Sequence, residues 1–397
     1  MKRCRLYSQL PILDRQKNTA RINLGNLAYN YNQLCGISPS ARHICVVKSD
    51  AYGHGADECV RKLCREGCDF FAVSCLEEAI EVKETLKEID SSADVLILGY
   101  TFPDYAKLLS DYKIIQTCLS LEYAKQLDAS AGKAGCEVRV HIALDTGMNR
   151  IGLCAHSDRE ISLAVEEATK ICAMSNLRAE GMFTHFACAD DKEPDVFLPD
   201  SLTRKQYERF MSVKRLLEEK NIKLFCHVSN SAASVRFPDY AMDGVRFGIM
   251  LYGYPPSGYM TFPLKPVMRL ETIISHIHPL LCGEKVSYGA TYSASTERSI
   301  ATLPIGYADG FIRKYSGANV GVYTDMGRFD ARLVGRICMD QCMIDITGIP
   351  AKAGDRVCLF GDNETGLEKL SEKAGTIEYE SLCIITSRVI RTYEDSD

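Results

Sequence analysis

The stretch Val46-Val47-Lys48-Ser49-Asp50-Ala51-Tyr52-Gly53-His54-Gly55 decides how the chain is read. The apolar run Ile44-Cys45-Val46-Val47 reads as a short buried strand, and a lysine ends it. A polar loop punctuated by glycine follows, and a helix begins near Asp57. Desolvation at the carboxyl end of a buried strand lowers an amine's pKa, and a neutral amine can attack a carbonyl to form a Schiff base. Taken alone, such a lysine is most often an ordinary residue leaving the core for solvent. The rest of the chain reverses that weighting.

Working outward, short apolar runs recur at 45–48, 70–74, 94–99, 114–120, 138–145, 180–186, 224–230 and 244–247. Segments with helical periodicity separate most of them. The clearest carries Tyr207, Phe210, Val213 and Leu217 on one face, and a second covers 76–89 with Glu and Lys at spacings of three and four. The last gap, 230–244, holds the weakest helix. Eight strand–helix units in about 240 residues predict an α/β fold, a (β/α)8 barrel of the TIM type. A doubly wound open sheet is the alternative. It seldom needs eight regular units, and no Gly-x-Gly-x-x-Gly follows the first strand. Pro255-Pro256-Ser257-Gly258 is turn chemistry and reads as a linker. Beyond it, β-type runs at 271–278, 299–304, 331–334, 343–346, 356–360 and 382–392 alternate with glycine turns, with one short helix over 364–375. The expected domains are therefore a barrel over 1–255 and a mostly-β domain over 256–397.

Composition narrows the function classes. The chain has 397 residues, 46% hydrophobic and 25% charged, with a net charge of −5 and no basic cluster, which argues against nucleic acid as a partner. Its 18 cysteines are scattered, with no Cys-x-x-Cys, and the pairs Cys64/Cys68 and Cys338/Cys342 lack nearby histidines at zinc spacing. They read as reduced thiols, with no metal site expected. The start, Met1-Lys2-Arg3-Cys4-Arg5, is basic but is followed by no long apolar stretch, so neither a signal peptide nor a membrane span is expected.

In a barrel the working face lies at the carboxyl ends of the strands. Lys48 ends the first strand and Tyr52 follows it; Arg150 lies in the loop after the fifth; His185 ends the sixth; Asn230 and Ser231 end the seventh; Arg246 ends the eighth, with Gly248 and Ile249 opening the next turn. Each has a plainer reading. His185 fits a satisfied core histidine, Arg246 a strand-end ion pair with Asp243, and Asn230-Ser231 a helix cap. Phosphate sites in barrels use the loops after strands seven and eight, which suits Ser231, Gly248 and Ile249. An imine-forming lysine beside a phosphate cradle points to pyridoxal 5'-phosphate (PLP).

With these residues in view, the chain resembles the alanine racemases. The quoted lysine stretch looks like their cofactor-lysine motif. So do Leu144-Asp145-Thr146-Gly147-Met148-Asn149-Arg150, Thr184-His185-Phe186, Val245-Arg246-Phe247-Gly248, Ser287-Tyr288-Gly289-Ala290-Thr291-Tyr292, Gly306-Tyr307-Ala308-Asp309-Gly310 and Gly335-Arg336-Ile337-Cys338-Met339-Asp340. The resemblance implies that Lys48 carries the cofactor and is one catalytic base, and that Tyr288 is the other, reaching the site from the partner of a homodimer. It places Tyr52, Ser231, Gly248 and Ile249 on the phosphate, Asn230 beside them, Arg246 on the pyridine nitrogen and His185 next to the ring. Arg150 and the partner's Met339 would meet the substrate carboxylate. Tyr307 and Tyr292 resemble residues that narrow the entrance.

Two departures stand out. Where the family often has a carbamylated lysine two residues before the Asp of Asp-Thr-Gly-Met, this chain has Ala143, so another group must hold Arg150. In Ile385-Thr386-Ser387-Arg388-Val389-Ile390-Arg391, Ser387 stands where a tyrosine usually crowds the substrate side chain. A lost ring opens polar room for a hydroxymethyl group, so serine is expected as a substrate beside alanine. In this the chain looks like the cytosolic domain of the membrane-bound serine/alanine racemases of vancomycin resistance, whose membrane domain is not seen in this sequence. The expected location is the cytoplasm, with no membrane contact by this chain. Two rivals are weighed. A barrel-type PLP amino-acid decarboxylase would present an acid to the pyridine nitrogen. A non-catalytic PLP carrier would lack the β domain and Tyr288.

Overall fold

The computed structural model describes residues 17–362 and 364–395; the basic start of the chain lies outside the described residues. Strand β1 (Thr19–Asn23) opens them. The chain folds as two compact units, Asn26–Lys265 and the segment ending at Gly25 together with Pro266 onward. The division falls at Lys265/Pro266, beyond the Pro255-Pro256 turn, and β1 belongs to the second unit.

In the first unit each of the eight apolar runs is a strand. These are β2 (Arg42–Val46), β3 (Phe70–Val73), β4 (Asp94–Ile97), β5 (Ile115–Cys118), β6 (Val138–Asp145), β8 (Leu177–Phe183), β9 (Phe225–His227) and β10 (Gly244–Phe247). A two-residue strand, β7 (Leu153–Cys154), pairs with β6. All run parallel, in the order β10-β2-β3-β4-β5-β6-β8-β9. The remaining seam is bridged by Asp243 N–H to the Cys226 carbonyl (3.1 Å) and Arg246 N–H to the Ser229 carbonyl (3.0 Å), so the sheet curls into a barrel. The continuous apolar strands follow from this, because helices cover the outside and side chains fill the inside. Phe70, His141 and Phe225 meet ring to ring in the interior, and Phe183 stacks on His227 at 4.9 Å. The amphipathic helix Leu202–Glu219 buries Phe210, Val213 and Leu217 as its periodicity predicts; Tyr207 instead stacks on Tyr240 at 3.7 Å. The weak eighth segment is a short helix, Ser231–Arg236, followed by a single turn, Pro238–Tyr240.

The second unit is built on a nine-stranded sheet. Its strands are β11 (Met268–Ile273), β12 (His276–Leu280), β15 (Arg298–Leu303), β16 (Asn319–Thr324), β17 (Gly327–Val334), β18 (Cys342–Asp345), β19 (Arg356–Phe360), β20 (Ile390–Glu394) and β1. A small hairpin of β13 (Lys285–Val286) and β14 (Tyr292–Ser293) stands beside it. β1 pairs antiparallel with β11 and parallel with β20, burying Ala20 and Ile22 on one face. The run 271–278 is two strands. Of the expected strand over 382–392 only the last three residues are strand: Glu378–Cys383 is a helix with Ser381 and Leu382 buried, and the strand begins at Ile390. Acidic residues at that helix's first turn favour the helix start over an extended chain. Among the described residues no helix is long and apolar enough to cross a membrane.

Candidate active site

Lys48 lies two residues past the end of β2 and begins an uncommon piece of backbone. Ser49, Asp50, Ala51 and Tyr52 all have φ between 53° and 55°. Four consecutive non-glycine residues in the left-handed region cost about 1–2 kcal/mol each. Fixed hydrogen bonds offset this. Glu78 Oε1 accepts the Ser49 N–H (2.7 Å), while its Oε2 accepts the N–H (2.8 Å) and hydroxyl (3.0 Å) of Ser74 at the end of β3. Asp50 Oδ1 accepts the Ala56 N–H at 2.8 Å. The buried His54 points Nδ1 at the carbonyls of Ala51 (2.9 Å) and Tyr52 (3.0 Å), so Nδ1 carries the proton. The turn ends at Gly53, φ 81°. This left-handed turn directs the Tyr52 side chain back over the barrel mouth.

There Tyr52 meets the loops after β9 and β10. A Cβ placed on Gly248 would stand 2.9 Å from Tyr52 Oη and 3.8 Å from Ser231 Oγ, and the Gly248 N–H donates to Ser231 Oγ at 2.8 Å. Two hydroxyls and a glycine thus surround a space that any side chain at 248 would fill. Tyr52 packs on Tyr252 at 4.8 Å, and Tyr252 donates to the Val46 carbonyl at 2.9 Å. Ile249 opens the buried turn Ile249–Tyr252. Asn230 is the helix cap: its Oδ1 accepts the Ala233 N–H at 3.0 Å and its Nδ2 donates to the Phe186 carbonyl at 3.3 Å.

Arg246 is buried and forms no ion pair with Asp243, whose carboxylate instead accepts the Cys226 N–H. Its Nη1 donates to His227 Nδ1 (2.8 Å) and to the His227 carbonyl (2.6 Å). Its Nη2 donates to the carbonyls of Thr184 (2.8 Å) and Val228 (3.1 Å), with His185 Nδ1 at 3.4 Å. The terminal nitrogens are engaged, while Nε–H has no partner among the described residues. Burial, and then the charge of Arg150, pull this guanidinium down to about 9. An arginine only donates, so His227 Nδ1 accepts and its Nε2 carries the proton, which faces His141 Nδ1 at 3.0 Å. Burial holds both histidines neutral. The enclosing walls, and the charges of Arg246, Arg150 and Lys48, likewise push the His185 imidazole well below its usual range. The mouth therefore gathers the charges of Arg246, Arg150 and Lys48 around His185, which favours anionic groups.

The loop with Arg150 is pinned at its start. Asp145 Oδ1 accepts the N–H groups of Gly147 and Asn149, both at 3.0 Å, and Gln206 joins the Thr146 hydroxyl to the His185 carbonyl. Arg150 itself is exposed and makes no hydrogen bond or ion pair among the described residues. Ala143 is buried in β6.

The remaining candidates lie in the second unit, around residues 336–340. Tyr288 is 69% exposed on a loop where Ser287, Gly289 and Ala290 have φ of 66°, 73° and 50°. The Ser287 hydroxyl donates to the Arg336 carbonyl at 2.6 Å, and a Cβ on Gly289 would stand 2.9 Å from Arg336 Nη1. Exposed Met339 is backed by the Tyr307 turn, whose Ala308 N–H donates to the Met339 carbonyl at 3.0 Å. Gly306 allows this approach, since a Cβ there would be 2.4 Å from that same carbonyl oxygen. Ser387 is exposed in the next turn, and Arg388 ties it to Asp340 (2.8 Å) and Asp309 (3.2 Å). Tyr307, Met339 and Ser387 thus share one framework. Tyr292 is tethered to Asp345 through its hydroxyl at 3.2 Å. Sequence reasoning missed Glu78, His54, Gln206, His227 and His141. Only the Gly53-x-Gly55 spacing signalled an unusual turn.

Comparison with known proteins follows the same division. The alanine racemase N-terminal domain family matches residues 22–256, and the alanine racemase C-terminal domain family matches residues 267–393. Alanine racemase 1 of Clostridium acetobutylicum is 39% identical over 382 residues, covering 94% of each chain. The alanine racemase of Halothermothrix orenii is 40% identical over 386 residues, covering 95% of this chain and 96% of the relative. The structure of alanine racemase from Clostridium difficile 630 superposes with a TM-score of 0.87 at 37% identity, covering 96% of both chains.

Proposed function

The chain belongs to the alanine racemase family, a family of PLP-dependent isomerases, and on that premise we propose that it racemises serine as well as alanine. The observation that carries the serine reading is Ser387, exposed in a turn that Arg388 fastens to the Met339 loop. A buried hydroxyl left without a partner costs roughly 1–3 kcal/mol, and a polar side chain with open space beside the methyl position avoids that cost.

The space between Tyr52 Oη, Ser231 Oγ and Gly248 suits the cofactor's phosphate. When bound, PLP takes up the substrate's amino group and makes the α-hydrogen acidic. Lys48 holds the cofactor and takes or returns the proton on one face; Tyr288 of a second subunit does so on the other. One base cannot serve both faces without moving, so two fixed bases are the direct solution. Tyr288 stands exposed on a loop with three left-handed residues, which suits a residue offered to a partner. The Nε–H of Arg246 would be the donor to the ring nitrogen, and an arginine gives up that proton reluctantly. Arg150, for which no holding group stands among the described residues, would receive the substrate carboxylate. The D-amino acids would feed cell-wall precursors, as in the vancomycin-resistance racemases, and the dimer would work in the cytoplasm.

The test is D-amino-acid formation by the PLP-loaded protein with L-alanine and L-serine side by side. Serine turnover comparable to alanine or better is expected, and Ser387→Tyr shifts preference back to alanine by about tenfold, or about 1.4 kcal/mol. Turnover of alanine alone makes this a strict alanine racemase and removes the role given to Ser387. Amine release with loss of carbon dioxide would instead favour the decarboxylase reading.

A further inference from the structure

β7 and the start of the helix Asp158–Cys172 carry a side-chain cluster that the reaction does not use. Cys154, His156 and Glu160 each offer one ligand atom, and these atoms all lie within 4.8 Å of one another. Cys154 Sγ is 3.3 Å from Glu160 Oε1. With zinc–sulfur bonds of about 2.3 Å and zinc–oxygen bonds of about 2.0 Å, a sulfur and an oxygen on one tetrahedral ion stand about 3.5 Å apart. That edge already has the spacing of a zinc site.

The supporting shell is also in place. Glu160 Oε2 accepts the His156 N–H (3.1 Å) and the Ser157 hydroxyl (2.8 Å), which turns Oε1 toward the thiol. His156 Nε2 lies 3.2 Å from Asp145 Oδ1. The buried Nε2 makes no hydrogen bond among the described residues, so the ring has a nitrogen to offer an ion, with a carboxylate close by of the kind that serves as outer partner to a metal-bound histidine. Cys154 is exposed while His156 and Glu160 are half-buried, so solvent can supply the fourth ligand. We propose that Cys154, His156 and Glu160 form a zinc-binding site, with Asp145 as its outer-shell carboxylate. Binding releases the Cys154 thiol proton to solvent, and the thiolate donates to the ion. Asp145, beside His156, accepts the N–H groups of Gly147 and Asn149, so the ion would lie next to the loop that carries Arg150. The spacing Cys-x-His-x-x-x-Glu across a strand end and a helix start differs from paired-cysteine motifs, and the sequence reading therefore expected no metal here.

The experiment dialyses the PLP-loaded enzyme against zinc chloride, then against metal-free buffer, and counts bound zinc by elemental analysis. Wild type is expected to retain one zinc per chain more than Cys154→Ser, His156→Asn or Glu160→Gln. Cys282→Ser, which removes an exposed thiol elsewhere, retains it. The melting temperature rises with zinc in wild type and in Cys282→Ser, and stays flat in the three site variants. Equal zinc retention by wild type and all three site variants, or none by wild type, overturns the site.

Discussion

Arg246 shows how much a single side chain's surroundings decide. Beside Asp243 in sequence, it has the makings of an ordinary strand-end ion pair. In the fold its terminal nitrogens go to three carbonyls and to His227, and Nε–H is left for a ligand. If Arg246 meets the pyridine nitrogen as proposed, a guanidinium that keeps its proton would make the ring a milder electron sink and restrain side reactions. Arg246→Glu is therefore expected to lower racemisation by at least about tenfold, about 1.4 kcal/mol, and to raise the share of turnovers ending in keto acid. Keto-acid formation unchanged from wild type, followed by coupled assay, would sink the idea. The same variant sets a carboxylate against backbone carbonyls, so its melting temperature should fall as well.

At the scale of elements, the barrel interior is the informative layer. β6 and β9 bring His141 and His227 ring to ring in a chain that starts at Arg246. Burial lowers His141 to about 3 from its ordinary 6.5 and lowers His227 as well. The unfolded chain therefore binds these protons first. Stability from the neutral histidines is complete above about pH 6.5 and falls as pH drops, by about 1.4 kcal/mol per unit for each. Melting temperatures measured from about pH 7 down to about pH 5 should fall with acid, and His141→Gln should flatten the slope while still accepting from His227. An unchanged slope in that variant would show that His141 titrates normally. Strand identity was legible here because both faces of a parallel strand are buried and read as an apolar run. The left-handed turn after Lys48 was not legible, because Ser49, Asp50, Ala51 and Tyr52 have no local preference for it. Glu78, 29 residues from Ser49, fixes it from a distance, and Asp50 and His54 brace it from within and just beyond.

At the scale of the whole molecule, the reading of a shared site is open to a direct test. If Tyr288 acts on the partner's substrate, a dimer combining one Lys48→Ala chain with one Tyr288→Phe chain has one intact site. Each variant alone should be nearly inactive. Equal mixtures refolded together should recover about a quarter of wild-type activity, since half the dimers are mixed and each has one working site. Mixtures that stay inactive would place both bases in one chain.

By itself the sequence determined the eight barrel strands, the β character of the second half and the positions of Lys48, Arg246 and Tyr288 along the chain. These follow from short-range pattern: apolar runs, helical periodicity and motif spacing. Tertiary structure decided that β1 joins the second unit's sheet, since a five-residue strand has no period long enough to name its partner. It also decided that residues 378–383 form a helix, and that Asn230 caps a helix while Ser231 meets Gly248. Hydrogen-bond partners such as Arg246 with His227, and His227 with His141, depend on backbone segments many residues apart coming together. No local preference records those meetings, so only the packed barrel could choose them.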